Sequence, residues 1–172
     1  MNKRPVVAIL MGSASDQEVM AEAGKALSEL GIPFAAHVMS AHRTPDRVHE
    51  FVSQAYENGI RVFIAGAGKA AHLAGVVASL TCLPVIGVPM TTSDLGGLDS
   101  LLSTVQMPPG IPVATTAIGK AGARNAGLLA ASILAVQDQQ LYHQLCEFRT
   151  AMAAKIHSDD QSLQQQEWVA RQ

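Results

Sequence analysis

Pro5 to Met11 is apolar at every position and ends at Gly12-Ser13, the pattern of a strand covered on both faces. Ser15 then offers an N-cap with Glu18 three residues on. Val19, Met20, Ala23, Ala26, Leu27 and Leu30 repeat at helical spacing up to a stop at Gly31. Pro33 to Met39 reads as a second strand, and Thr44-Pro45-Asp46 starts a second helix with Thr44 as N-cap and Pro45 in its first position. Phe51, Val52, Ala55 and Tyr56 form the apolar face of that helix, and Asn58-Gly59 ends it. A third strand over Val62 to Ala65 leads through a Gly/Ala loop to a small-residue helix over Leu73 to Leu80. Pro84 to Val88 and Ile111 to Thr116 read as strands four and five, with a short helix over Asp99 to Val105 between them. Two last helices cover Ala121 to Val136 and Asp138 to Ile156. Strands alternating with helices every ~25 residues predict an α/β domain: a five-stranded parallel sheet with helices on both faces. Residues 1–157 are expected to form one domain. Ser158 to Gln172 has five Gln and few apolar residues and is expected to be a mobile tail.

The 172-residue length favours a single domain. With 48 % apolar and 15 % charged residues the chain is not of the disordered class, and so little charge suggests apolar surface covered by other subunits. A net charge of −2 with 4 % aromatics gives no footing for nucleic acid. Cys82 and Cys146 are far apart and outside any CxxC spacing, which argues against a disulfide framework or a zinc site and for a reduced compartment. The apolar run after Asn2-Lys3-Arg4 is short for a signal peptide and stops at Gly12. No run reaches the ~18 apolar residues of a membrane helix. The expectation is a soluble, cytoplasmic protein.

Ligands of doubly wound sheets sit at the carboxyl ends of the strands, and three loops there carry candidate chemistry. In Gly12-Ser13-Ala14-Ser15-Asp16, Gly12 permits an unusual turn. The hydroxyls of Ser13 and Ser15 and the helix start suit an anion, while Asp16 suits sugar hydroxyls. The bland reading is that Ser15 and Asp16 only cap the helix. In Ser40-Ala41-His42-Arg43-Thr44, His42 can give and take a proton near neutrality, and Arg43 can fork onto phosphate or carboxylate; a surface His-Arg pair is the alternative. In Gly66-Ala67-Gly68-Lys69-Ala70-Ala71-His72-Leu73, small residues let backbone approach a ligand and His72 adds a polar head. Tight helix–sheet packing explains the same residues. His37, His49, His143 and His157 read as structural or solvent-exposed. With no nucleophile elbow and no metal-ligand spacing, the residues point to cofactor-free acid/base chemistry on a small anionic substrate.

The segments MGSASD, SAHRTP, AGAGKAAHLAG and DSLLSTVQMPPGIPVATTAIGKAGARNAGLLAASILA closely resemble the N5-carboxyaminoimidazole ribonucleotide mutase family of purine biosynthesis, in order and with matching gaps from about Val6 to Ile156. The resemblance implies a flavodoxin-like, three-layer α/β/α fold, a homo-octamer, and transfer of a carboxylate from N5 to C4 of aminoimidazole ribonucleotide without metal or cofactor. By position it makes His42 the catalytic histidine. It sets Ser13, Ser15 and Arg43 at the phosphate, Asp16 at the ribose, and Gly68, His72 and Leu73 around the transferred carboxylate. Gly12, Ser40, Ala41 and Lys69 complete the expected substrate site. Two departures stand out: Lys69 where the family usually has Gly, and Ala74 where it usually has Pro. The alternatives are a direct carboxylase of aminoimidazole ribonucleotide or of another heteroaromatic nucleotide, and a catalytically silent nucleotide-binding module.

Overall fold

The computed structural model describes residues 4–165. Five strands, β1 (Val7–Met11), β2 (Phe34–Val38), β3 (Val62–Ala67), β4 (Val85–Pro89) and β5 (Ala114–Thr115), form one sheet in the order β2-β1-β3-β4-β5. Every pairing is parallel. The chain turns back on itself between β1 and β3, so the crevice at the carboxyl ends of these two strands is the switch point of the sheet.

Side chains alternate across the central strands, and each face builds its own core. Val7, Ile9, Met11, Val62, Ile64, Ile86 and Val88 pack with helices α1 (Gln17–Glu29) and α5 (Lys120–Ala135). Ala8, Leu10, Phe63, Ala65 and Val85 pack with α2 (Pro45–Ala55) and α3 (Leu73–Ser79). Helix α4 (Leu98–Val105) lies close over β4: a Cβ on Gly87 would stand 2.3 Å from the Thr104 methyl. This is a flavodoxin-like three-layer α/β/α arrangement. Gly31 ends α1 at φ 67°, with the Ile32 N–H returning to Leu27 and the Gly31 N–H to Ser28, which satisfies the last carbonyls of the helix.

Four local expectations need correction. Ser15 does not cap α1 in a box with Glu18. Ser13 instead accepts from the Ser15 N–H at 3.3 Å over a single 3₁₀ turn, Ala14–Asp16, and Glu18 pairs with Lys120. Thr44 makes no side-chain cap bond to α2, because its hydroxyl closes on Ser40. Strand β5 is two residues long: Pro112 has no N–H to pair, and the Ile111 N–H turns to Pro108. Helix α6 (Gln139–Gln164) runs eight residues beyond Ile156 into the stretch expected as a tail. Contacts one turn apart continue there, Lys155 to Asp159 and Ser162 to the Ser158 carbonyl. The remainder of that stretch, 166–172, lies outside the described residues. No helix among the described residues is long and apolar enough to cross a membrane.

Candidate active site

The loops after β1, β2, β3 and β4 meet around a cleft of ≈ 470 Å³. The first contributes Gly12, Ser13, Ser15 and Asp16. Gly12 holds the start of this loop to the sheet by donating to the Gly66 carbonyl at 3.1 Å. The Ser15 hydroxyl bridges Ser13 Oγ at 2.9 Å and Asp16 Oδ1 at 3.2 Å. Burial pushes the Asp16 carboxyl above its ordinary range, while Ser15, the Ser13 backbone and the charge of Arg43 pull the other way. Such a carboxylate gains from a ligand that brings hydroxyl donors.

The second loop is a closed turn. The Thr44 N–H returns to the Ser40 carbonyl, and the Ser40 hydroxyl accepts from the Arg43 N–H at 3.2 Å. Arg43 reaches across to the first loop, where Nη2 donates to the Gly12 carbonyl at 2.7 Å. That bond aims the guanidinium along the cleft wall beside Ser13 and Asp16 and leaves other N–H groups free for an anion. His42 lies on the same wall. Its Nε2 is 3.0 Å from His72 Nδ1, and the rings meet edge to face. One of these nitrogens must carry the hydrogen and the other a lone pair, so the two rings share a proton position.

The third loop brings Gly68, Lys69, Ala70 and Leu73 to the cleft. His72 does not line it and stands behind as the partner of His42 and the N-cap residue of α3. Lys69 is the sole non-glycine at positive φ among the described residues, at 57°. The glycine that the resemblance leads one to expect there would carry no such strain, since a Cβ is disfavoured in that region. The backbone is nevertheless fixed: its N–H donates to the fully buried Ser100 hydroxyl at 2.9 Å, and Ala71 donates back to its carbonyl at 2.8 Å. Ala74 falls in the first turn of α3, where a helix also accepts proline.

Sequence reasoning missed the fourth wall, Met90, Thr91, Thr92 and Ser93, after β4. The hydroxyl run Thr91-Thr92-Ser93-Asp94 mirrors Ser13-Ala14-Ser15-Asp16. The rule about strand ends, applied to the fourth strand, would have found it. Thr92 fixes this loop by donating to Asp99 at 2.7 Å and accepting from Gly97. No group of three or more His, Cys, Asp or Glu among the described residues could hold a metal ion. The arrangement offers one cationic fork amid hydroxyls, one desolvated carboxylate, and an imidazole pair beside a small-residue loop.

Known proteins match this chain over nearly all of its length. The model of the family described as AIR carboxylase matches residues 6–155. The N5-carboxyaminoimidazole ribonucleotide mutase of Bacillus subtilis is 55 % identical over 92 % of this chain and 98 % of that protein. The protein of the same name from Escherichia coli is 53 % identical over 87 % of this chain and 89 % of its own length. Among solved structures, the crystal structure of Treponema denticola PurE superposes with a TM-score of 0.84 at 31 % identity, covering 93 % of this chain and 99 % of that one.

Proposed function

This chain belongs to the AIR carboxylase family, and on that premise we propose that it catalyses the N5-carboxyaminoimidazole ribonucleotide mutase reaction of purine biosynthesis. The observation that carries the mechanism is His42, on the cleft wall and 3.0 Å from His72. As the bond between N5 and the carboxylate carbon breaks, its electron pair stays on N5, His42 delivers a proton there, and CO2 is released. C4 then attacks CO2 through the ring π electrons, a new carboxylate forms, and His42 takes the proton that C4 sheds. The proton ledger closes on one residue, and no cofactor enters. His72 holds the imidazole in place and can share its proton.

Arg43, Ser13 and Ser15 receive the phosphate, which carries roughly two negative charges near neutral pH, and Asp16 receives the ribose hydroxyls. Gly12, Ser40 and Ala41 shape the wall between them. Gly68, Lys69 and Leu73 surround the carboxylate and the transient CO2, with His72 behind them as the partner of His42. Residues 1–157 are the mutase domain. The exposed side chains of Leu95, Leu98 and Leu102 at α4, and of Tyr142, Met152 and Ile156 along α6, support a homo-octamer that covers them. Free Cys82 and Cys146 fit a cytoplasmic location.

His42→Asn tests the mechanism. Turnover should fall by about 10²–10⁴, the usual worth of general acid–base catalysis, with the fold and nucleotide binding retained. Near-wild-type turnover would remove His42 from the chemistry.

A further inference from the structure

We propose that Lys69 determines specificity for the carboxylated nucleotide: its ammonium rests on Asp94 and transfers to the carboxylate of the ligand when it binds. This rests on the carboxylate-transfer reading above. Arg43 and Lys69 are the two Lys or Arg residues among those lining the cleft in the described residues, against one acidic residue, Asp16. The ligand carries two anionic groups, a phosphate and a carboxylate. Arg43 follows β2 and is bound to Gly12 beside the hydroxyls of Ser13 and Ser15, and its forked guanidinium suits the dianion. Lys69 follows β3, two strands away, or roughly 10 Å at the usual strand spacing. The second anion therefore falls to it, on the loop that ends at His72, the partner of His42.

The local structure separates an anchored backbone from a movable head. Lys69 keeps a positive φ, with its N–H held by buried Ser100 and its carbonyl approached by the Ser103 hydroxyl. Its ammonium makes an ion pair with Asp94 at 2.6 Å, with the two side chains 67 % and 60 % exposed. A solvated pair of this kind is weakly held, and an incoming carboxylate offers the same chemistry in a less solvated place. Asp94 thus keeps the cation in position without committing it. A lysine that only strapped the two loops together would treat carboxylated and uncarboxylated ligands alike.

Calorimetric titration of the full chain with 4-carboxyaminoimidazole ribonucleotide and with aminoimidazole ribonucleotide separates these roles. K69M keeps the backbone requirement and deletes the charge. It should weaken binding of the carboxylated nucleotide about 5–10-fold, close to 1–1.4 kcal/mol, and change the other less than twofold. K69R should restore the preference. D94N frees the ammonium and should leave carboxylated-ligand binding equal or tighter. If K69M and D94N both weaken the two nucleotides in parallel, Lys69 is a strap and the proposal is wrong. If the wild type binds neither nucleotide, the substrate assignment fails first and takes this role with it.

Discussion

Asp16 shows at the scale of one residue how a binding site works against the stability of its own fold. Burial is the largest influence on its carboxyl and raises it above 3.8, the ordinary value, despite Ser15, Ser13 and Arg43. A folded-state value above the unfolded one means that the native protein holds this proton more readily. Stability is therefore lost as pH rises through that window, and the cost is fully present at neutral pH. Asp16→Asn should raise the Tm of the ligand-free protein at pH 7, with a gain that shrinks as pH falls towards 3.8, and should weaken nucleotide binding. A Tm that drops at pH 7, or a gain independent of pH, would contradict this account of Asp16. Although the fourth wall, Met90 to Ser93, was missed, the other three were legible from residue types at strand ends: Gly12, Ser13, Asp16, His42, Arg43 and Gly68 all reach one cleft. The strained φ of Lys69 and its partner Asp94 were not. They arise from a loop–loop contact 25 residues apart in sequence, which no local pattern encodes.

Among the elements, the α1–α5 contact depends on small residues more than on apolar bulk. A Cβ on Gly127 would lie 2.7 Å from the Ala23 carbonyl oxygen and 2.9 Å from the Ala26 Cβ. Ala123, Ala126, Ala130 and Ala131 beside it are fully buried. Gly127→Val should destabilise the protein by about 1–3 kcal/mol, the usual cost of overpacking. The gain in helix propensity over glycine is below ~1 kcal/mol and cannot offset a clash with backbone that has no rotamer to change. Urea unfolding should show a lower midpoint at unchanged slope; an unchanged midpoint would refute the close packing. Strand and helix order came directly from periodicity, because β1, β3 and β4 are buried on both faces and read as unbroken apolar runs. Element ends did not. The start of α1 depends on which serine, Ser13 or Ser15, accepts the first N–H, and the end of α6 is written in Gln-rich residues that suit an exposed helix as well as a tail.

On the scale of the whole molecule, α6 is the helix that one chain covers least: it packs on α5 through Leu141 and Leu145, and of its described residues only Leu141 is buried. Val136, just before it, is 82 % exposed. If the octamer covers these surfaces, light scattering at micromolar concentration should give a mass near eight times 18.1 kDa. A monomer with full activity would contradict that assembly. The reaction itself is tested by turnover of N5-carboxyaminoimidazole ribonucleotide by the purified protein without ATP, added metal or bicarbonate. Conversion to 4-carboxyaminoimidazole ribonucleotide is expected under these conditions. Binding without conversion, or product formed only from aminoimidazole ribonucleotide and added bicarbonate, would contradict it.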